Sequence, residues 1–255
     1  MRNKLKIILR DNPLLASIKH MLISPFLGFI YIPLGKKGLI FYPKEKVFLF
    51  SHYTGVWILL EIFRDDVYER LPEVRVKKGE TVVDVGAHVG AFTIKARREV
   101  GENGLVIAIE PEPRNLELLK RNVQKYDNVI VIDKAVGNRK GKTKLYLSET
   151  SCEHSIINRG ARSIQVEIDT LSDILSGLGI SRVDFVKIDV EGAELEVLKS
   201  AGNYLKKIKK ISIAAEHYWG EQDNLESFLK SNGFSTKKIE VKGKWYVYGW
   251  RREEK

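Results

Sequence analysis

The sequence predicts an α/β protein: a mostly parallel β-sheet with helices on both faces, closed by an antiparallel hairpin at the end. Three observations carry this. Apolar strand patterns alternate with helical ones from residue 81 onward. The first strand, Thr81-Val82-Val83-Asp84-Val85, meets Gly86-Ala87-His88-Val89-Gly90 and then helix formers from Ala91 to Arg98, which makes a strand, a tight turn and a helix start. Five strand patterns also carry an acid at their ends, at Asp84, Glu110, Asp133, Asp189 and Glu216. Repeated β-α-β connections force parallel strands, and open sheets of this kind bind ligands at the carboxyl ends of those strands.

The elements follow in order. Residues 1–46 mix basic and apolar side chains and read as an extension. Nine Lys or Arg stand there against Asp11 and Glu45, so the segment carries +7 of the chain's +10. His20 to Gly35 holds no Asp, Glu, Lys or Arg. It is shorter than the ~20 apolar residues of a spanning helix and is interrupted by Pro25 and Pro33. No small-residue cleavage site marks a signal peptide. The segment is expected to pack on the core or a partner, or to make a peripheral membrane contact through its cations and its Phe and Ile residues.

Residues 47–78 read as a lead-in, with a short strand at Val47–Phe50 and helical patterns at Val56–Phe63 and Asp65–Leu71. Tyr53, Trp57 and Tyr68 are its aromatic anchors. The domain proper is expected over 79–255. Strands are expected at 81–85, 105–110, 129–133, 184–189 and 211–216, and helices at 90–100, 113–126, 170–177, 193–206 and 222–232. Two further strands, Lys142–Leu147 and Ile164–Ile168, break the alternation. The polar loop between them holds Cys152, His154, Asn158 and Arg159 and suits acceptor contacts or a lid. Glu194 and Glu196 read as ordinary first-turn acids, and Lys206, Lys207, Lys209 and Lys210 as a solvated helix end. Ser235–Val241 and Trp245–Trp250 form the closing hairpin through Lys242-Gly243-Lys244.

The turn after residue 85 narrows the ligand. A dinucleotide fingerprint set on Gly86 needs glycine at 88 and glycine or alanine at 91. The chain has His88 and Ala91, so the glycine that admits a pyrophosphate is missing. No Gly-Lys-Ser/Thr follows, which excludes a Walker A loop. What is left, D-x-G-x-x-x-G, suits a nucleoside without bridging phosphates. The glycines are expected to let the backbone approach that ligand without an intervening Cβ. Asp84 can accept hydrogen bonds or face a cation, and S-adenosylmethionine carries a sulfonium and an ammonium group. Glu110 stands twenty positions after Gly90, where a carboxylate can take both ribose hydroxyls. The plainer alternative is a cap for the helix that starts near Pro113.

Composition bounds the rest. At 255 residues, with 44% hydrophobic and 30% charged side chains, the chain can fill one large core. One cysteine, Cys152, excludes an internal disulfide and a cysteine-based zinc site and fits a cytoplasmic setting. Its polar surroundings mark a loop thiol rather than a nucleophile. The basic excess sits in the N-terminal segment rather than across a folded face, which disfavours nucleic acid as a partner.

Several stretches together resemble the FkbM family of S-adenosylmethionine-dependent methyltransferases: Val83-Asp84-Val85-Gly86-Ala87-His88-Val89-Gly90, Glu110-Pro111-Glu112-Pro113, Ala135-Val136-Gly137 and above all Lys187-Ile188-Asp189-Val190-Glu191-Gly192-Ala193-Glu194. The likeness runs over about residues 65–250 and leaves 1–46 outside. It implies the Rossmann-like, seven-stranded class I methyltransferase sheet and methylation of a hydroxyl on a glycan, glycolipid or small natural product. It implies cofactor contacts at Asp84, Gly86, Gly90 and Glu110, with Ala87 and His88 in the same turn and Asp133 toward the adenine.

Methyl transfer to oxygen needs in-line placement and removal of the hydroxyl proton. Asp189, helped by Glu191, is the expected base, and His217 the alternative. A second version sets Mg²⁺ between Asp189, Glu191 and Glu216. Two other classes remain: an RNA methyltransferase, prompted by the basic charge, and a nucleoside-binding module without turnover.

Overall fold

The computed structural model describes residues 29–34, 37–52, 55–148, 154–157, 162–215, 218 and 220–252. Strands β1 (Ile30–Leu34), β2 (Lys37–Tyr42) and β3 (Val47–Ser51) pair antiparallel in a small sheet. The boundary expected at residue 46 therefore falls in a turn between paired strands, with Tyr42 opposite Val47. Helix α1 (Gly55–Leu59) follows and widens into a π turn at Leu60–Arg64.

The helix expected over Asp65–Leu71 does not form. Asp66 takes a left-handed φ of 52°, and the chain reaches only a 3₁₀ turn at Pro72–Val74. Side-chain bonds explain the difference. The Glu69 carboxylate accepts the Val76 N–H at 2.7 Å and pairs with Lys95, so the segment's side chain is tied to residues further along the chain.

The chain then alternates as expected through β4 (Thr81–Val85), α2 (Ala91–Val100), β5 (Leu105–Ile109), α3 (Pro113–Val123) and β6 (Val129–Ile132). The insertion supplies β7 (Ala135–Val136), β8 (Gly141–Leu147) and β9 (Arg162–Asp169), a separate three-stranded sheet in the order β7-β9-β8. Alternation resumes with α4 (Leu171–Gly177), β10 (Val183–Ile188), α5 (Glu194–Ser200), a 3₁₀ turn (Gly202–Lys207), β11 (Ile208–Ala214) and α6 (Glu221–Ser231). The chain closes on β12 (Ser235–Val241) and β13 (Lys244–Trp250).

Seven strands form the main sheet in the order β12-β13-β11-β10-β4-β5-β6. Its neighbours from β6 to β11 pair parallel, and β13 enters antiparallel between β11 and β12. Helices cover both faces, so central strands are buried on both sides. All six residues of β10 are buried, and two apolar clusters fill the spaces above and below the sheet.

β11 begins three residues before the expected start and takes in Lys209 and Lys210. Lys210 is no solvated helix end. It is buried, and its ammonium donates to both oxygens of Glu80, at 2.7 and 2.6 Å, and to the Arg75 carbonyl at 2.7 Å. Its carboxylate partner lies 130 positions away, beyond the reach of local pattern.

Candidate functional site

A cleft opens at the carboxyl ends of β4, β5 and β10. One wall is the turn after β4. Gly86, His88 and Gly90 take left-handed φ values of 75°, 51° and 88°, which reverse the chain sharply into α2. Both glycines are required by contacts within the protein itself. A Cβ on Gly86 would lie 1.8 Å from the Asp189 carbonyl oxygen, and one on Gly90 would lie 2.6 Å from Leu119 Cδ1.

The turn's amides are already committed. The N–H groups of Gly86 and Ala87 both donate to the Ile109 carbonyl at 3.0 Å, and that of Gly90 donates to the Ala87 carbonyl. The His88 N–H donates to Glu110 Oε2 at 2.8 Å. A phosphate cradle needs such donors free. Here a carboxylate stands in their midst.

Glu110 also accepts the Glu112 N–H on Oε1 at 2.9 Å. Each carboxylate oxygen has two lone pairs, so acceptor capacity remains toward the cleft that Glu110 lines. Burial pushes its carboxyl up to about 7, against the pull of the Glu112 and His88 N–H groups. The cap of α3 is Glu112, whose side chain accepts the Asn115 N–H at 2.7 Å. The capping role weighed for Glu110 thus falls to Glu112.

Asp84 does not line the cleft. It is fully buried beneath the turn, where Thr93 Oγ1 donates to its Oδ2 at 2.6 Å and Lys187 Nζ stands 3.2 Å from its Oδ1. The residue's place within β4, one before the strand's end, turns it into the packed interior. Lys187, on β10, is the cation of this layer. It donates to the Gly86 carbonyl at 2.7 Å and lies 3.8 Å from Asp189 Oδ2. Burial alone would lower its pKa, but the charges of Asp84 and Asp189 outweigh that and raise it above the ordinary lysine value.

Asp189 and Glu191 do line the cleft. The Tyr68 hydroxyl donates to Asp189 Oδ2 at 2.7 Å, and its ring is wedged edge-on between Phe92 and Tyr246. Glu191 sits at a left-handed φ of 60°, and its carbonyl accepts from Ser155 Oγ at 2.7 Å, fastening the insertion to the site. Glu194 is not an ordinary first-turn acid. It is fully buried, and its Oε1 accepts the N–H groups of Val190 and Gly192 at 3.0 and 3.1 Å, shaping the loop that presents Asp189 and Glu191.

His88 lines the cleft, and burial, helped by nearby His52 and Lys187, lowers its pKa to about 3, so it stays neutral. His154 joins the lining from the insertion, its Nδ1 accepting the Ser148 N–H at 3.1 Å. Asp133 is exposed just past β6 and outside the lining. The neighbouring Lys134 lines the cleft instead, paired with Asp169 at 2.6 Å. Glu216, His217, Cys152, Asn158 and Arg159 lie outside the described residues. Among the described residues no group of three or more His, Cys, Asp and Glu is arranged to hold a metal.

Sequence reasoning assigned no role to Lys187 and read Tyr68 only as an aromatic anchor. A lysine inside an otherwise apolar strand was a usable signal, because a buried cation needs a partner. Tyr68 gave none, since the carboxylate it meets is 121 positions away.

The sheet order, with a cleft at the strand ends, is the fold of the class I methyltransferases. Residues 84–236 match the methyltransferase FkbM domain, and the chain belongs to that family. It is 26% identical over 220 residues to the methyltransferase sdnD of Sordaria araneosa, covering 72% of this chain and 83% of that protein. It is 26% identical over 149 residues to a probable cobalt-precorrin-6B C(15)-methyltransferase (decarboxylating) of Saccharolobus solfataricus, covering 56% of this chain and 71% of that one. Among solved structures, the methyltransferase FkbM of Methylobacillus flagellatus superposes with a TM-score of 0.57 at 18% identity, covering 76% of this chain and 53% of the other. No helix among the described residues is long and apolar enough to cross a membrane.

Proposed function

We propose that the cleft binds S-adenosylmethionine and directs its methyl group to a hydroxyl oxygen on a glycan, glycolipid or small natural product. The observation that carries the cofactor reading is the turn after β4. Its amides at 86, 87, 88 and 90 are spent within the protein, and Glu110 offers lone pairs where a phosphate would need donors. The donor set fits a neutral ribose diol and repels a pyrophosphate.

When bound, the cofactor supplies an electrophilic methyl on a sulfonium, which an acceptor oxygen can take in line. The chain's own residues do the rest. Glu110 accepts from the two ribose hydroxyls. The loop at Gly86–His88 forms one wall. Asp189 accepts the acceptor's hydroxyl proton on its carboxylate. The Tyr68 hydroxyl holds Asp189 Oδ2 and so fixes the carboxylate at this end of the cleft. Glu191 lines the same end of the cleft and orients the acceptor. His88, neutral and poorly basic, forms wall rather than base.

The precorrin relative is named for methylation at a carbon. The proposal for oxygen rests on Asp189, a carboxylate that lines the cleft and is oriented by Tyr68. Incubation with a methyl-labelled cofactor and lipid, glycan and small-molecule extracts tests it. The expected product is an O-methyl resonance in one fraction that Asp189→Asn abolishes. A C-methyl product would replace the oxygen reading.

A further inference from the structure

The sheet of β1, β2 and β3 breaks the usual rule for a half-exposed sheet, apolar inside and polar outside. Its inner face is apolar and buried, through Tyr31, Ile40, Tyr42, Val47 and Leu49. Its outer face is apolar as well. Pairing aligns Ile30, Phe41 and Phe48 in one row across the three strands, and Ile32, Leu39 and Phe50 in the next. Phe41 and Phe48 stack with ring centres 4.3 Å apart. Ile30 and Ile32 are 45% exposed, Leu34 51% and Phe48 56%. Exposed apolar patches of this kind mark contact surfaces.

Cations surround the patch. The turn from β2 to β3 carries Lys44 and Lys46, and Arg98 binds its Glu45 and Lys46 carbonyls. Arg121 lies 3.5 Å over the Phe50 ring, and Lys37 sits at the start of β2, paired with Glu117 at 2.8 Å. Residues 1–46 together carry nine Lys or Arg against two acids. A second copy on this face would set Lys44 and Lys46 against their own counterparts. An anionic lipid surface answers both features: acyl chains and headgroup carbons for the aromatic and branched side chains, and lipid phosphates for the lysines.

We infer that the outer face of β1–β3 is a docking surface for an anionic membrane, with Ile30, Ile32, Phe41 and Phe48 entering the interface. The same stretch runs on into α1 and the π turn, whose Ile58, Glu61 and Ile62 wall the cleft. Docking therefore holds the cleft close to the headgroups, within reach of an amphiphilic acceptor. The inference needs neither the cofactor nor the acceptor assignment to hold.

Vesicle flotation of the full chain tests it, using phosphatidylglycerol–phosphatidylcholine vesicles beside phosphatidylcholine alone. The wild type is expected to float with the anionic vesicles, less so as salt rises, and to stay down with the neutral ones. Ile32→Glu with Phe48→Glu is expected to cut flotation about tenfold while leaving the melting temperature and S-adenosylhomocysteine binding unchanged. Lys44→Glu with Lys46→Glu is expected to act the same way through charge alone. Absence of wild-type flotation would overturn the inference, as would variants that float like the wild type. So would a wild-type dimer in light scattering that the Ile32→Glu, Phe48→Glu variant converts to monomer, because the face would then belong to a second copy.

Discussion

The Tyr68 hydroxyl and the Asp189 carboxylate meet at 2.7 Å across 121 residues of chain. The contact joins the irregular segment before the core to the end of β10, at the place where an acceptor would be deprotonated. Tyr68 is held edge-on by Phe92 and Tyr246, so it is a stiff support for an otherwise half-exposed carboxylate. Tyr68→Phe removes one hydrogen bond to a charged group and nothing else of shape. Turnover is expected to fall roughly tenfold or more, with the dissociation constant for S-adenosylhomocysteine unchanged. Equal losses in both would make Tyr68 a general structural support instead of a partner for Asp189.

The buried charges under the turn act as a unit. Lys187→Met would leave Asp84 fully buried with only Thr93 as partner, and is expected to cost about 3–5 kcal/mol. Adding Asp84→Asn removes the stranded charge and should restore part of that stability. Urea denaturation of both single variants and the double variant gives the coupling. Additive losses would show that the two side chains do not depend on each other.

Gly86 is fixed by two constraints at once. Its φ is 75°, and a Cβ would stand 1.8 Å from the Asp189 carbonyl oxygen. Gly86→Ala is expected to cost about 3 kcal/mol or more, since backbone must move. Gly179→Ala is a control for conformation alone, with φ at 68° and nothing within 4 Å of its Cβ, and should cost only about 1 kcal/mol. Thermal melts compare the two directly.

If Glu110 holds the cofactor ribose as proposed, cofactor affinity depends on pH. Its carboxyl titrates near 7 against an ordinary 4.5, chiefly because it is buried. The ribose hydroxyls donate to the ionised form, so affinity should fall as pH drops through about 7, with proton release on binding below that point. The stability effect has the opposite sense. A raised pKa stabilises the empty protein below 4.5, and that contribution is lost as pH rises through 7. Glu110→Gln should therefore bind more weakly, lose the pH dependence, and leave the empty protein more stable at pH 8. Calorimetry and melts across this range read both effects.

His88 works in the other direction. Burial lowers its pKa from 6.5 to about 3. Its contribution to stability is present above 6.5 and is lost as pH falls from there toward 3. His88→Asn keeps a side chain that tolerates the left-handed φ of 51° and removes the titration. The variant's stability should fall less steeply than the wild type's below pH 6.5, measured by denaturation in a pH series.

The legible parts of the fold were those written locally. Thr81–Gly90 showed a strand, a turn and a helix start within ten residues, and Ser235–Trp250 showed a hairpin through one glycine. The parallel core followed from alternation, because apolar runs such as Val183–Ile188 separated by amphipathic stretches leave few other arrangements. Elements governed by distant partners were not legible. Asp65–Leu71 has helical composition but is bound by Glu69 to Val76 and Lys95. Lys210 looks solvated in sequence and finds Glu80 in space. The site divided along the same line. Glu110 and Asp189 were identifiable as acids at strand ends. Asp84 showed the same signal but faces the interior, since sequence marks a strand's end without saying which side a residue takes.

The central claim is that the turn after β4 and Glu110 hold a nucleoside without bridging phosphates. Titration calorimetry of the purified full chain tests it most directly, with S-adenosylmethionine, S-adenosylhomocysteine, a nicotinamide dinucleotide and ATP as ligands. The expected result is one-to-one binding of the first two, weakened in Glu110→Gln, and no heat from the last two. Binding of ATP or the dinucleotide without binding of either sulfur compound would contradict the account.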